Sequence, residues 1–258
     1  MIGKKSILII AVVSLILTSI PAVFVMVKIY PLPVIVPVGP YGEGDYYYDR
    51  IQEIKDGYPL LGNPYFYEHR NEIAPAFFLA DWVAAVPALL GIPLLPATLI
   101  NFFFWSLCAI FILALFLKKA GLEEKWAVFG AVFCYLTIYL FMIRPVSMQV
   151  IFPPFFLFLL AYLYWFEAPG SKKTILLLSA LGALSAYLYS YTAQIVVVMF
   201  GLYAIYFLIR KDWPRLKGIG YSVLAFAVMI GPLALFTIKQ ILHPDYWQTM
   251  VRIGFVNT

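Results

Sequence analysis

Charged residues are scarce in this sequence. Asp, Glu, Lys and Arg make up 12% of the 258 residues, whereas hydrophobic residues make up 64%. About a quarter of the residues in an ordinary soluble domain are charged, and a chain with half that share cannot cover its surface in water. The composition therefore excludes a soluble globular protein and predicts an integral membrane protein.

Cysteine is nearly absent as well. The two cysteines, Cys108 and Cys134, both fall inside apolar runs, which is typical of residues that only pack. The sequence shows no cysteine spacing typical of a metal site, and it has no disulfide framework. The net charge of +5 comes from short Lys and Arg clusters between apolar runs, so we expect no nucleic-acid partner.

Long apolar runs, in contrast, are abundant. A helix needs about 20 apolar residues to cross a hydrocarbon core of about 30 Å at 1.5 Å per residue. We predict an all-α integral membrane protein, a single transmembrane module over residues 1–258, with about seven spans. The predicted spans are 7–27, 95–117, 126–143, 150–166, 174–190, 193–209 and 219–238.

Two apolar segments need a choice between alternatives. The run 7–27 is longer than the apolar region of a signal peptide, about 7–15 residues, and we interpret it as a retained anchor. The segment 73–90 contains Asp81 and Pro87. If it crossed the membrane, the lysines after 95–117 would face outside. We therefore predict that it lies in the interface or is re-entrant, where its Asp and Pro can contact water or protein.

The distribution of Lys and Arg predicts the orientation. With a cytoplasmic N-terminus, eleven of the eighteen basic residues fall in short cytoplasmic segments, as the positive-inside rule requires. The predicted location is the plasma membrane, with the loop 29–73 and the tail from residue 239 outside. The sequence has no internal repeat that we recognise, and it is either a minimal module or a fragment of a longer protein.

The loop holds an acidic cluster. Residues 42–72 contain seven of the thirteen acidic residues of the chain. On a helix, Asp45, Asp49, Glu53 and Asp56 share one face and an apolar set shares another, so the pattern predicts an amphipathic helix on the membrane with its acids outward. The alternative is an ordinary solvated helix face without chemistry.

A second ionisable group follows at 68–72, where Glu68, His69, Arg70 and Glu72 occur within five residues. Two acidic groups separated by a turn, both beside an apolar slab, can face each other across a cleft. One carboxylate can then act as a general base, while another holds a divalent metal ion. Arg70 can bind phosphate, whereas a single histidine such as His69 is more often structural than a ligand.

Two other polar features lie in or beside the spans. Arg144 is at the outer end of a span, where it either extends its charge to the interface or binds a lipid phosphate through its forked guanidinium. Asn101 and Gln194 lie inside apolar runs, and we expect them to form hydrogen bonds between helices.

The order of these features resembles the GT-C class of membrane glycosyltransferases, with the protein O-mannosyltransferase and aminoarabinose-transferase-like branch most similar. The shared pattern is a span, an external loop opening with Gly-Asp-x-x-Tyr in a short helix, and an aromatic-Glu segment before proline. The resemblance implies that Asp45 is the essential acidic residue of the first external loop, with Tyr48 as its accompanying aromatic residue. It implies Glu68 or Glu72 as the second acidic residue. From the residues themselves, Asp45 and Glu68 are the candidate ligands of a divalent metal ion.

The leading functional hypothesis is therefore transfer of a hexose or pentose from a polyprenyl-phosphate donor to an acceptor at the external face, as part of cell-envelope synthesis. Membrane lipid and the lipid-linked sugar are the expected partners, and the acceptor stays open. The site residues would be Asp45, Glu68 and Glu72 for catalysis, and Tyr48, His69, Arg70 and Arg144 for binding. The alternatives are a transporter or lipid flippase, for which the spans carry few charges, and a non-catalytic membrane scaffold.

Overall fold

The structure, a computed structural model, describes residues 2–29, 44–62, 78–144, 146–244 and 246–247. Over these residues the chain forms ten α-helices and no strand, so the predicted all-α class is confirmed for the described part. The helices are α1 Lys4–Ile29, α2 Gly44–Lys55, α3 Leu79–Leu89, α4 Leu94–Lys119, α5 Glu124–Met142, α6 Ser147–Glu167, α7 Lys172–Leu188, α8 Ser190–Ile209, α9 Trp213–Met229 and α10 Gly231–Ile241.

Five of these helices are long and apolar enough to cross a membrane: α1, α4, α5, α6 and α8. Large apolar side chains such as Leu8, Phe129 and Leu202 are exposed on their outer faces, where water would be unfavourable and lipid is the matching solvent. The predicted span 174–190 corresponds to α7, which has 17 residues. The helices therefore indicate a membrane protein, while the full count of seven spans stays a prediction.

The predicted span 219–238 is not one straight helix. It falls on α9 and α10, which are bent by 51° at Ile230. The cause lies in the sequence Gly231-Pro232, because proline has no backbone N–H to continue the α9 hydrogen bonds and starts a new helix instead. If α9 and α10 together form one broken helix, they are a sixth candidate span. Similarly, the connection between the predicted spans 126–143 and 150–166 is shorter than expected, because α6 already begins at Ser147.

One end of the bundle gathers the basic residues, and we call it the Lys/Arg end. Here the carboxylate of Glu124, at the start of α5, accepts hydrogen bonds from Gly3 N at 2.9 Å, Ser6 Oγ at 2.6 Å and Lys118 Nζ at 2.6 Å. These bonds join α1, α4 and α5 at one level. Lys119 forms an ion pair with Glu167 at 2.5 Å, which brings the end of α6 to the same level.

The opposite end carries α2 and α3, and we call it the α2–α3 end. Helix α3 has 11 residues, which extend about 16 Å at 1.5 Å per residue and cannot cross a bilayer. It ends at Leu89, and Gly91 turns the chain with a φ of +90°, which glycine adopts without strain. The helix packs against α4, α6 and α7, so it covers the ends of the spans.

Candidate functional site

The centre of the α2–α3 end is an ion pair between Arg50 and Asp81. Arg50 Nε donates to Asp81 Oδ1 at 2.9 Å, and Arg50 Nη2 donates to Asp81 Oδ2 at 2.7 Å. The side chains are 3% and 7% exposed. Two parallel charge-assisted hydrogen bonds fix distance and direction together, so this pair locks α2 of the acidic loop onto α3.

Burial determines what the pair does energetically. Desolvation by burial alone would lower the pKa of the Arg50 guanidinium, but the hydrogen bonds and negative charge of Asp81 raise it above its ordinary value. Arg50 is therefore a permanent cation with most of its hydration removed. Such a charge is strongly unfavourable without its partner, which makes the position of α2 depend on Asp81.

An apolar cluster surrounds the pair and extends it into the bundle. Ile51 and Ile54 of α2 pack with four alanines of α3, the starts of α4 and α6 and the end of α7. Two hydrogen bonds reinforce this contact. Trp82 Nε1 donates to Pro59 O at 2.9 Å, and Asn101 Nδ2 donates to Ala84 O at 2.7 Å. The predicted bridging role of Asn101 between helices is thus confirmed, since the bond joins α4 to α3.

Helix α2 carries the predicted acids differently from the sequence expectation. Asp56 is exposed and accepts from Gln52 Nε2 at 2.7 Å, but Asp49 is only partly exposed and Glu53 is buried. The expectation that all the acids point outward is therefore wrong for Glu53. The reason is that the buried face of α2 is centred on Arg50 and Ile54, and Glu53 borders this face. The sequence prediction placed only apolar residues on this face and did not include Arg50.

The structure brings some of the predicted site residues to this end. Asp45 is the second residue of α2, although its side chain lies outside the described part. Tyr48 lies in α2, and its side chain is buried. Arg144 is partly buried in the turn before α6, two residues from Val146, which belongs to the apolar cluster around the ion pair. Glu68, His69, Arg70 and Glu72 lie outside the described residues, so their proximity to Asp45 stays a prediction.

Two features of this end were not predicted from the sequence. The first is the partner of Asp81: an acid in an apolar helix requires a cation, which predicts that a partner exists but does not identify it as Arg50. The second is Gln149, which is fully buried at the start of α6, and neither its Oε1 nor its Nε2 has a hydrogen-bond partner in the described structure. No periodicity or motif distinguishes it from a glutamine that bridges helices.

The described residues contain no group of three or more His, Cys, Asp or Glu side chains that could hold a metal ion. The predicted metal ligands are Asp45 and Glu68. Glu68 and the side chain of Asp45 lie outside the described part of the structure. The predicted divalent metal therefore stays a prediction. What the described geometry provides is a rigid attachment of the acidic helix to the membrane helices.

Comparison with known proteins adds no assignment. No protein-family model, no curated protein and no solved structure matches the chain at a significant level. Over the described residues, the class defined by the fold is an all-helical protein with five helices long and apolar enough to span a membrane.

Proposed function

We propose that the protein is a membrane glycosyltransferase of GT-C type, which transfers a sugar from a polyprenyl-phosphate donor to an acceptor at the α2–α3 end. The observation that carries the proposal is the buried ion pair between Arg50 and Asp81. It fixes the acidic helix beside the ends of the membrane helices. A loop that only keeps its acids in water would not require a desolvated charge pair to hold it there.

In this mechanism Asp45 takes the proton of an acceptor hydroxyl. The acceptor oxygen attacks the anomeric carbon, the bond from that carbon to the phosphate oxygen breaks, and polyprenyl phosphate leaves as the anion. The leaving group needs no strong general acid, because the departing phosphate monoester is already a stable anion. Asp45 belongs to the same helix as Arg50, so the ion pair would position the base relative to the membrane surface where a lipid-linked donor lies.

Arg144 and the segment 68–72 complete the proposal. Arg144 lies in the turn that leads into α6, a suitable place for a guanidinium that binds the donor phosphate with its forked donors. Arg70 is the other candidate for that contact, with His69 and Tyr48 contributing to donor binding. Glu68 or Glu72 would be the second carboxylate, acting directly or through a divalent metal ion.

The test is transfer by the purified chain with polyprenyl-phosphate-linked mannose, glucose and arabinose, measured as release of polyprenyl phosphate in the presence of membrane extract as acceptor. Loss of a general base costs about 10²- to 10⁴-fold in rate, which is the expected effect of Asp45→Asn. Asp56→Asn is the matched control, because Asp56 lies just beyond the same helix but is exposed. Equal activity of Asp45→Asn and the wild type would remove Asp45 as the base, and an inactive wild type with all three donors would reject the transferase itself.

A transporter or lipid flippase is the second candidate, and one observation favours it. The pair α9 and α10 forms a broken helix with a 51° bend, and transporters use broken helices at their binding sites. Such folds usually repeat the break in corresponding halves, and the described chain has one pair of this kind. Uptake or lipid scrambling by the protein in vesicles, unaffected by Asp45→Asn, would favour this function over transfer.

A further inference from the structure

A pocket of about 370 Å³ lies at the Lys/Arg end, on the opposite side of the bundle from Arg50 and Asp81. It is formed where α6 and α8 end and α9 begins. Its lining residues are Phe166, Tyr206, Phe207, Arg210, Asp212 and Arg215. None of them belongs to the proposed transfer site, so the pocket needs its own explanation.

The pocket carries a positive charge and an unused donor. Asp212 offsets one of the two arginines, since Arg215 Nη1 donates to its Oδ2 at 2.6 Å and Arg215 N donates to its Oδ1 at 3.2 Å. These two hydrogen bonds hold the pKa of Asp212 below its ordinary value, so the aspartate is an anion. The charge of Arg210 is left over, with its guanidinium 5.7 Å from the ring centre of Tyr206.

Arg215 supplies the second observation. Its Nε is buried and has no hydrogen-bond partner in the described structure. The Arg215 side chain as a whole is 41% exposed, so its guanidinium keeps donors that an anionic oxygen at the pocket can accept from. Phosphate oxygens suit this role, because the guanidinium fork matches their geometry.

The exposed apolar side chains beside the pocket decide between a free anion and a lipid. Tyr206, which lines the pocket, is 48% exposed and Ile209 is 74% exposed; both belong to α8, which is long and apolar enough to span the membrane. A free phosphate would leave these side chains without an apolar partner, whereas a phospholipid can place its phosphate between the arginines and its acyl chains along α8. Basic pockets between membrane helices bind anionic headgroups in this way.

We propose that this pocket binds the phosphate headgroup of an anionic phospholipid through Arg210 and Arg215, with the acyl chains against Tyr206 and Ile209. The site lies at the end opposite the acidic helix, so it would anchor the Lys/Arg end in the membrane without taking part in transfer. The proposal does not depend on the transferase function.

The experiment measures lipid retained by the purified full chain after exchange into nanodiscs that contain phosphatidylglycerol and phosphatidylcholine in equal amounts. Retained lipid is identified by native mass spectrometry. We expect phosphatidylglycerol to be enriched, and each of Arg210→Gln and Arg215→Gln to reduce the enrichment about 5-fold, the usual effect of one basic residue at an anionic surface. Lys5→Gln, an exposed change at the start of α1 and at the same end, should leave it unchanged.

Several results would overturn the proposal. They are no enrichment in the wild type, full enrichment in both arginine variants, or a loss with Lys5→Gln as large as with the arginines. Displacement of the lipid by 10-fold excess inorganic phosphate would show instead that the pocket takes a free anion. Arg210 is exposed, so Arg210→Gln tests the site even if Arg215→Gln unfolds, and an unchanged unfolding temperature for Arg210→Gln confirms that the fold is intact.

Discussion

Removing one partner of the Arg50–Asp81 pair should destabilise the protein strongly, while replacing both should not. Asp81→Leu leaves the Arg50 guanidinium without its acceptors in a site where its side chain is 3% exposed. Breaking a buried ion pair from one side costs about 3–5 kcal/mol. Arg50→Met leaves the buried Asp81 carboxylate in the same position, and we expect a cost of similar size.

The double variant Arg50→Met/Asp81→Leu has the opposite expectation. Replacement of a buried ion pair by apolar side chains of similar volume is often neutral or stabilising, by about 1–4 kcal/mol, and an apolar cluster already surrounds the site. Because both single costs of about 3 kcal/mol or more disappear in the double variant, the double-mutant cycle should show a coupling of at least about 6 kcal/mol. Additive single effects would refute the claim that the two charges depend on each other.

The free energies can be measured by reversible unfolding in mixed detergent micelles, with amide hydrogen exchange of α2 as a local readout. Each single variant should speed the amide exchange of residues 44–55, and the double variant should return it to the slow rate of the wild type. Glu123→Gln is the control, because Glu123 pairs with Lys125 at 3.3 Å with both side chains more than two thirds exposed. Such a surface pair contributes less than about 1 kcal/mol. A single variant that destabilises the fold but leaves exchange in α2 unchanged would show that the pair does not hold this helix.

Three further changes test the packing elsewhere. Gly218→Ala should cost about 1–3 kcal/mol of unfolding free energy, because the new Cβ would clash with the carbonyl oxygen of Pro169. Gly220→Ala, a change in the same helix with open space around it, should instead stabilise the protein by up to about 1 kcal/mol. Equal effects of the two changes would contradict the close contact at Gly218. Gln149→Met should stabilise the protein by about 1–3 kcal/mol, since both amide atoms are buried without partners in the described structure; a large loss of stability would show that the amide is bonded in solution. Lys211→Gly should stabilise by about 1 kcal/mol in thermal unfolding, because Lys211 has a φ of +55° that glycine adopts freely, and a destabilised variant would refute strain at this residue.

The helical architecture was predictable because lipid leaves the backbone few alternatives. Every polar backbone group in hydrocarbon must be satisfied internally, so an apolar run of sufficient length becomes a helix whatever its neighbours are. The run 95–117 shows this, since it coincides with α4 within two residues at each end. The run 219–238 shows the limit. Its mean apolarity predicts a span, but Gly231-Pro232 interrupts the hydrogen bonds inside it.

The candidate site was predictable in part. The lone acid in 73–90 correctly indicated that this segment contacts protein or water at a polar point, and Asp81 does contact Arg50. The identity of that partner could not be deduced from helical periodicity, because the faces predicted for α2 comprised its acidic and its apolar residues and did not include Arg50. Glu53 was misassigned for the same reason. Burial of a charged residue depends on a partner from a distant segment, which no local pattern contains.

The position of α2 and the packing of α3 therefore depend on each other. An 11-residue apolar helix with an acid in its first turn is a poor span because it is short, and a poor soluble helix because Ala84, Ala85 and Ala88 need burial. Arg50 resolves the conflict, since it neutralises the acid and lets the rest of α3 pack against α4 and α6. The consequence extends to Asp45, which lies on the same helix as Arg50. Any change that separates Arg50 from Asp81 must move the proposed base together with its helix, so stability of this pair and proposed transfer activity should fall together in the single variants and recover together in the double variant.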